Sequence, residues 1–191
     1  MDGERGGEVR PGGEFALWPI RVRAVRIRTR SGERERPLVE HPGAAAVVPV
    51  EAGEVYLVRQ WRYAVGENLL EIPAGTREEG ETLEECASRE LREEAGLRAG
   101  RLIKLFEGYS IPGYGSERLA IFLGLDLEHV ERDLEEDEFI EVVSLPLREA
   151  VRMVRSGRIR DLKTALGILL AWQAIQSGEV SAGSGPSSGV P

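Results

Sequence analysis

Between residues 82 and 95 the apolar positions recur at helical spacing, and three glutamates share their stripe. Leu83, Cys86, Ala87 and Leu91 align when the segment is turned about 100° per residue. Glu90, Glu93 and Glu94 continue that stripe, whereas Glu84, Glu85, Ser88 and Arg92 take the solvated side. Thr82 with Glu85 forms a capping-box pair, and Gly96 stands where a helix-terminating glycine belongs. The pattern therefore predicts a helix over 82–95.

Elsewhere the period is closer to two. Residues 15–40 read as a β-hairpin turning at Ser31–Glu33, with apolar residues alternating with arginine from Ile20. Ala24–Val25 breaks the phase, as a bulge would. Two strands, 44–51 and 54–60, flank a turn at Ala52–Gly53, and further strands are expected near 102–108, 118–126 and 139–145. A second helix starts with Pro146 in its first turn and ends near Gly157. A third covers 161–175, offering Leu162, Leu166, Leu169, Leu170 and Trp172 for burial. Strands and helices interleave without regular βαβ units, so the expected class is α+β, a mixed sheet between helices. Residues 1–13 and 177–191 are polar and rich in Gly or Ser and are expected to be disordered. That leaves a hairpin region at 14–43 and a main domain at 44–176.

Composition narrows the function. With 191 residues and 41% apolar content, the chain supports one well-filled core. A formal net charge of −8 argues against nucleic acid as a partner and means that a polyanionic substrate would be repelled without a cation. The single cysteine, Cys86, excludes an internal disulfide and points to a reducing, cytoplasmic compartment. On the helix stripe it reads as a small buried hydrophobe. His41 and His129 have no zinc-like spacing, and no apolar run approaches the ~20 residues of a membrane span.

The three stripe glutamates are the anomaly. Unpaired and partly buried, such carboxylates cost several kcal/mol or take up protons. Arg89, four residues before Glu93, is expected to pair with one of them. A hard divalent cation such as Mg²⁺ suits the remaining oxygens. The alternative is a solvated acidic face.

The segment resembles the Nudix box: Gly75, five residues, Glu81, seven residues, Arg89-Glu90, Leu91, one residue, Glu93-Glu94, one residue, Gly96, Leu97. The run VYLVRQWRYAVGENLLEIPAG before it is similar to ADP-ribose pyrophosphatases and related nucleoside-diphosphate-sugar hydrolases. So is YSIPGYGSERLAIFLG after it, with Pro112 fifteen residues past Leu97, and so is EEDEFIEVVSLPLREA. The 111–117 loop departs from that subfamily at Ile111, Tyr114 and Ser116 and agrees at Pro112, Gly113 and Glu117.

The resemblance implies a Nudix fold, an α/β/α sandwich with a mixed β-sheet and an N-terminal β-hairpin extension. It implies Mg²⁺-dependent hydrolysis of ADP-ribose to AMP and ribose 5-phosphate, with Mn²⁺ as a possible substitute. Alternatives are another nucleoside diphosphate-sugar substrate, or a non-catalytic sensor of ADP-ribose or a nucleotide. Pro112 and the N-terminal hairpin disfavour triphosphates. Carried onto this chain, the metal ligands are Glu90, Glu94, Glu93 and the Ala74 carbonyl, exposed by a sharp turn at Gly75. Arg89 orients the glutamates, and Glu81 is either a ligand or a loop-fixing acceptor. The base lies on the late acidic loop, Glu136 ahead of Glu138, with Glu93 a further catalytic carboxylate. Arg62 would contact the diphosphate and Glu117 the ribose or a metal water. Trp18, Trp61 and Tyr114 are stacking candidates for adenine. The resemblance further implies a homodimer whose N-terminal strands complete the neighbour's site.

Overall fold

The computed structural model describes residues 11–132 and 140–180, which fall into two compact units. The first unit contains residues up to Gly43 together with Gly108–Leu119. Its core element is a three-stranded antiparallel sheet in the order β1 (Pro11–Leu17), β2 (Ile20–Thr29), β3 (Gly32–Glu40). The expected hairpin is thus the β2–β3 pair, and a third strand precedes it, beginning inside the stretch expected to be disordered. Register between β2 and β3 runs unbroken from Arg21↔Glu40 to Thr29↔Gly32, so Ala24–Val25 is not a bulge. The irregularity lies between Pro11 and Glu14 in the β1–β2 pair. Arginines and glutamates face each other across β2–β3, as in Arg23–Glu40 at 2.5 Å and Arg26–Glu35 at 3.3 Å. The 110–117 loop belongs to this unit and is bonded to β3, with the Val39 N–H donating to the Tyr114 carbonyl and the Ser116 N–H to the Val39 carbonyl.

The second unit holds residues 44–107 and those from Ala120 onward. Its sheet runs β10 (Ile140–Pro146), β5 (Glu54–Arg62), β4 (Ala44–Glu51), β9 (Arg118–His129), β8 (Leu97–Tyr109), with β6 (Glu67–Glu71) on β5 and β7 (Ala74–Thr76) on β4. β6 and β7, of five and three residues, are too short to show a period in the sequence. β4 is buried on both faces, which explains its near-continuous apolar run. Ala45 and Val47 pack with Leu97, Ala120 and Phe122 against Cys86, Ala87, Leu91 and Ala95 of α1 (Leu83–Ala95). Val48 and Ile121 meet α3 (Leu162–Gln176) on the other face. α2 (Leu147–Arg155) packs beside α3. Helix, sheet, helix is the α/β/α layering expected.

α1 carries both predicted caps. Thr82 and Glu85 form the reciprocal capping box, and Gly96, at φ 65°, closes the helix in the left-handed region. α3 departs from expectation. Its buried face is small: Thr164, Gly167, Ile168, Ala171 and Ala174, while Leu162 is 82% exposed. The reason is proximity to the sheet, since a Cβ on Gly167 would stand 2.9 Å from Val48 Cγ2 and 3.0 Å from Ile72 Cδ1. Gly167→Val should therefore lower stability by about 1–3 kcal/mol through overpacking. An unchanged or raised thermal midpoint would show that the helix can move off the sheet.

Candidate functional site

The residues singled out in the 75–97 segment come together where α1 crosses β7. Arg89 is the hub. Its Nε and Nη2 donate to the two oxygens of Glu81 at 2.9 and 3.1 Å, and its Nη1 donates to Glu90 at 2.7 Å and Glu93 at 2.9 Å. Nη2 also reaches the Thr76 carbonyl at 3.0 Å. The expectation that Arg89 pairs with one carboxylate is corrected: a planar fork serves three at once because Glu81 approaches from the loop while Glu90 and Glu93 rise from the helix. These contacts hold the guanidinium well above its ordinary pKa, the Glu81 hydrogen bond being the largest cause.

Glu94 lies apart from the fork. It is 4% exposed, and its Oε2 accepts the Ala74 N–H at 2.9 Å, tying the last turns of the helix to β7. Glu90 presses on Gly75, where any Cβ would overlap its carboxylate. Gly75 is thus needed for room, not for a sharp turn: it sits in β7 opposite Ala45. Glu81 also ties down its own loop, its Oε2 accepting the Glu78 N–H at 2.9 Å. Burial pushes the Glu81 carboxyl up, but the Arg89 and Glu78 hydrogen bonds outweigh it, leaving the group below its ordinary value. Cys86 is fully buried, and burial with the neighbouring Glu81 and Glu90 charges raises its thiol to about 12, so it stays protonated.

Could the cluster hold a hard cation? Glu81, Glu90, Glu93 and Glu94 bring four carboxylates together, with Arg89 at their centre and the more exposed Arg92 3.3 Å from Glu93 at the edge. Among the described residues no three acidic, His or Cys side chains close on a common point, because Arg89 lies between Glu90 and Glu93. The donor chemistry fits: oxygen ligands only, partly buried, with a surplus of negative charge.

Beside the cluster, Arg62 at the end of β5 holds Glu71 with both teeth of its fork, Nε–Oε1 at 2.7 Å and Nη2–Oε2 at 2.8 Å. The Glu94 charge also acts on Arg62. Glu71 is 1% exposed and bonds Lys163 of α3 as well. Sequence reasoning missed both partners, although a glutamate inside LLEIP and a lysine opening an apolar helix were visible as misfits. It also missed Arg132, whose Nη2 donates to the Glu94 carbonyl at 2.6 Å and the Ile140 carbonyl at 3.1 Å.

The other expected site residues have the following surroundings. Trp61 is 56% exposed on β5, paired with Asn68 on β6. Tyr114 and Glu117 belong to the first unit, where Glu117 accepts the Ser110 hydroxyl and lies 3.9 Å from His41 Nδ1. Trp18, also in that unit, is 71% exposed. Glu136 and Glu138 lie outside the described residues.

Residues 39–165 match the NUDIX domain. An ADP-ribose pyrophosphatase of Bacillus subtilis (strain 168) is 42% identical over 137 residues, 70% of this chain and 74% of its own. A GDP-mannose pyrophosphatase of Pectobacterium atrosepticum is 40% identical over 136 residues, 66% of this chain and 68% of its own. The crystal structure of an ADP compounds hydrolase shares the fold at TM-score 0.78 and 21% identity, covering 91% of this chain and 95% of that one.

Acid should loosen the site. For Glu71, burial raises the carboxyl, but the Arg62 and Lys163 contacts outweigh it, so Glu71, like Glu81, is held below its ordinary 4.5. A depressed carboxylate adds stability above its unfolded pKa and loses it as pH falls through the folded value. The urea midpoint should hold nearly level from about pH 7 to 5 and drop below about 4.5. A midpoint that rises on acidification would contradict these pairings.

Proposed function

The chain belongs to the NUDIX family, and we propose that it is a divalent-metal-dependent pyrophosphatase that hydrolyses ADP-ribose to AMP and ribose 5-phosphate. The observation that carries this reading is the surplus of partly buried carboxylate on α1 and its loop, knitted by Arg89 and flanked by Arg62. Similarity to an ADP-ribose pyrophosphatase supports the choice of substrate, and similarity to a GDP-mannose pyrophosphatase keeps a second nucleoside diphosphate-sugar as the rival.

NUDIX hydrolases generally use a divalent metal ion. Here Mg²⁺ is the proposed ion, with Mn²⁺ able to substitute, held by Glu90, Glu94, Glu93 and the Ala74 carbonyl. When bound, such a cation neutralises charge on the diphosphate and polarises its phosphorus–oxygen bonds. Arg89 holds Glu90 and Glu93 in place through its Nη1, so their orientation does not have to be found during the reaction. Arg62 uses Nε and Nη2 on Glu71 and presents its remaining edge to the diphosphate oxygens. A carboxylate base, Glu136, Glu138 or Glu93, takes a proton from water as its oxygen bonds to phosphorus and the bridging P–O bond breaks. The bridging oxygen leaves on the second phosphate, giving AMP and ribose 5-phosphate. Trp61, Tyr114 and Glu117 remain the proposed nucleoside and ribose contacts.

The proposal includes a cytoplasmic homodimer. Its support is the apolar tip of the β1–β2 hairpin, where Phe15, Leu17, Trp18 and Ile20 are all exposed.

Chromatography of products from ADP-ribose and GDP-mannose, with Mg²⁺ and with a chelator, tests the reading. AMP should appear fastest from ADP-ribose and only with metal. Glu94→Gln should fold and lose roughly 100-fold or more in kcat. Faster cleavage of GDP-mannose would move the substrate, and metal-independent turnover or a fully active Glu94→Gln would overturn the site.

A further inference from the structure

Two cations converge on one buried carboxylate at the start of α3. Glu71, 1% exposed, receives the fork of Arg62 from one side and the ammonium of Lys163 from the other. Lys163 also lies 3.1 Å from Asp161, the N-cap of α3. A lysine in the first turn of a helix opposes the helix dipole, and the one carboxylate that offsets it is the N-cap Asp161, since the turn itself holds no acid. Stability alone does not explain the choice. One well-formed bidentate arginine already satisfies a buried carboxylate, and a methionine or leucine at 163 would cover the same ground without the dipole penalty.

The charge balance gives a reason. Arg62, Lys163, Glu71 and Asp161 together are neutral. Without Lys163 the group would carry one net negative charge directly behind the guanidinium that faces the site. That charge would repel an incoming diphosphate, in a chain whose net charge is already −8. The attachment is also rigid. Asp161 accepts the Thr164 N–H at 2.9 Å, and buried Thr164 Oγ1 accepts the Ile72 N–H at 2.9 Å, fixing the residue that follows Glu71.

We propose that Lys163 is a positioning residue for diphosphate binding: it neutralises Glu71 so that Arg62, anchored on that carboxylate, keeps its charge for the phosphate oxygens. This rests on the diphosphate reading of the site given above.

The test measures KM and kcat for ADP-ribose with Mg²⁺, and separately the Kd of ADP for the metal-free protein by calorimetry. Lys163→Met should raise both KM and the ADP Kd about tenfold while kcat stays within about twofold. Lys163→Gln keeps a donor to Glu71 without the charge and should behave like Lys163→Met, which covers a Met variant that folds poorly. Lys163→Arg should restore wild-type binding. The informative variant is Lys163→Met combined with Glu71→Gln: removing the carboxylate removes the need for the lysine, so most of the lost affinity should return. A purely structural lysine would make that double variant worse than either single one, and this result, or an unchanged ADP Kd in Lys163→Met, would overturn the proposal. Because the ADP isotherm needs no turnover, an enzyme inactive on ADP-ribose would sink the substrate reading while leaving this inference to stand or fall on binding.

Discussion

The guanidinium of Arg89 is the constraint on which the rest of the site depends. Three carboxylates and a backbone carbonyl meet on it, and they come from a loop, a helix and a short strand. Without it, Glu81, Glu90 and Glu93 would repel one another at partial burial, and α1 could not bring its acidic side toward β7. Its single charge does not cancel the cluster. What remains is a negative, oxygen-rich surface held in fixed geometry, which a divalent cation suits and a lone anionic substrate does not.

Residues 71–75 are gripped from two directions. Glu94 of α1 bonds the Ala74 N–H and Glu90 packs on Gly75, while Thr164 of α3 bonds the Ile72 N–H and Lys163 bonds Glu71. The segment itself hydrogen-bonds β4 through the Pro73 carbonyl. A five-residue stretch therefore links the carboxylate cluster to the arginine beside it. Helix placement, strand register and site chemistry are one problem here: the small face of α3, with Gly167 against Val48 and Ile72, lets the helix approach closely enough for its first turn to reach Glu71.

Much of this was legible in the sequence where the signal was local. The capping box, the Gly96 terminus and the shared stripe of apolar and acidic residues all follow from spacing on one helix. The α+β class followed from interleaved periods, and the box residues were named by their pattern. Long-range partners were not legible. Nothing in the order of residues says that Arg89 collects Glu81 across a loop, or that Lys163 meets a glutamate ninety-two positions earlier. The sharp turn expected at Gly75 has no counterpart, because the glycine lies in β7 and the side chain of Glu90 takes the space a Cβ would need. On α3 the sequence offers large leucines for burial, but the tight approach to the sheet selects small residues for the inner face. The short strands β6 and β7 were too brief to show a period.

The most direct test of the carboxylate site is anomalous scattering from a crystal soaked in Mn²⁺. The account predicts a strong peak within bonding distance of Glu90 and Glu94 carboxylate oxygens, with Arg89 still bonded to Glu81. A peak elsewhere on the protein, or none near α1 at saturating Mn²⁺, would contradict it.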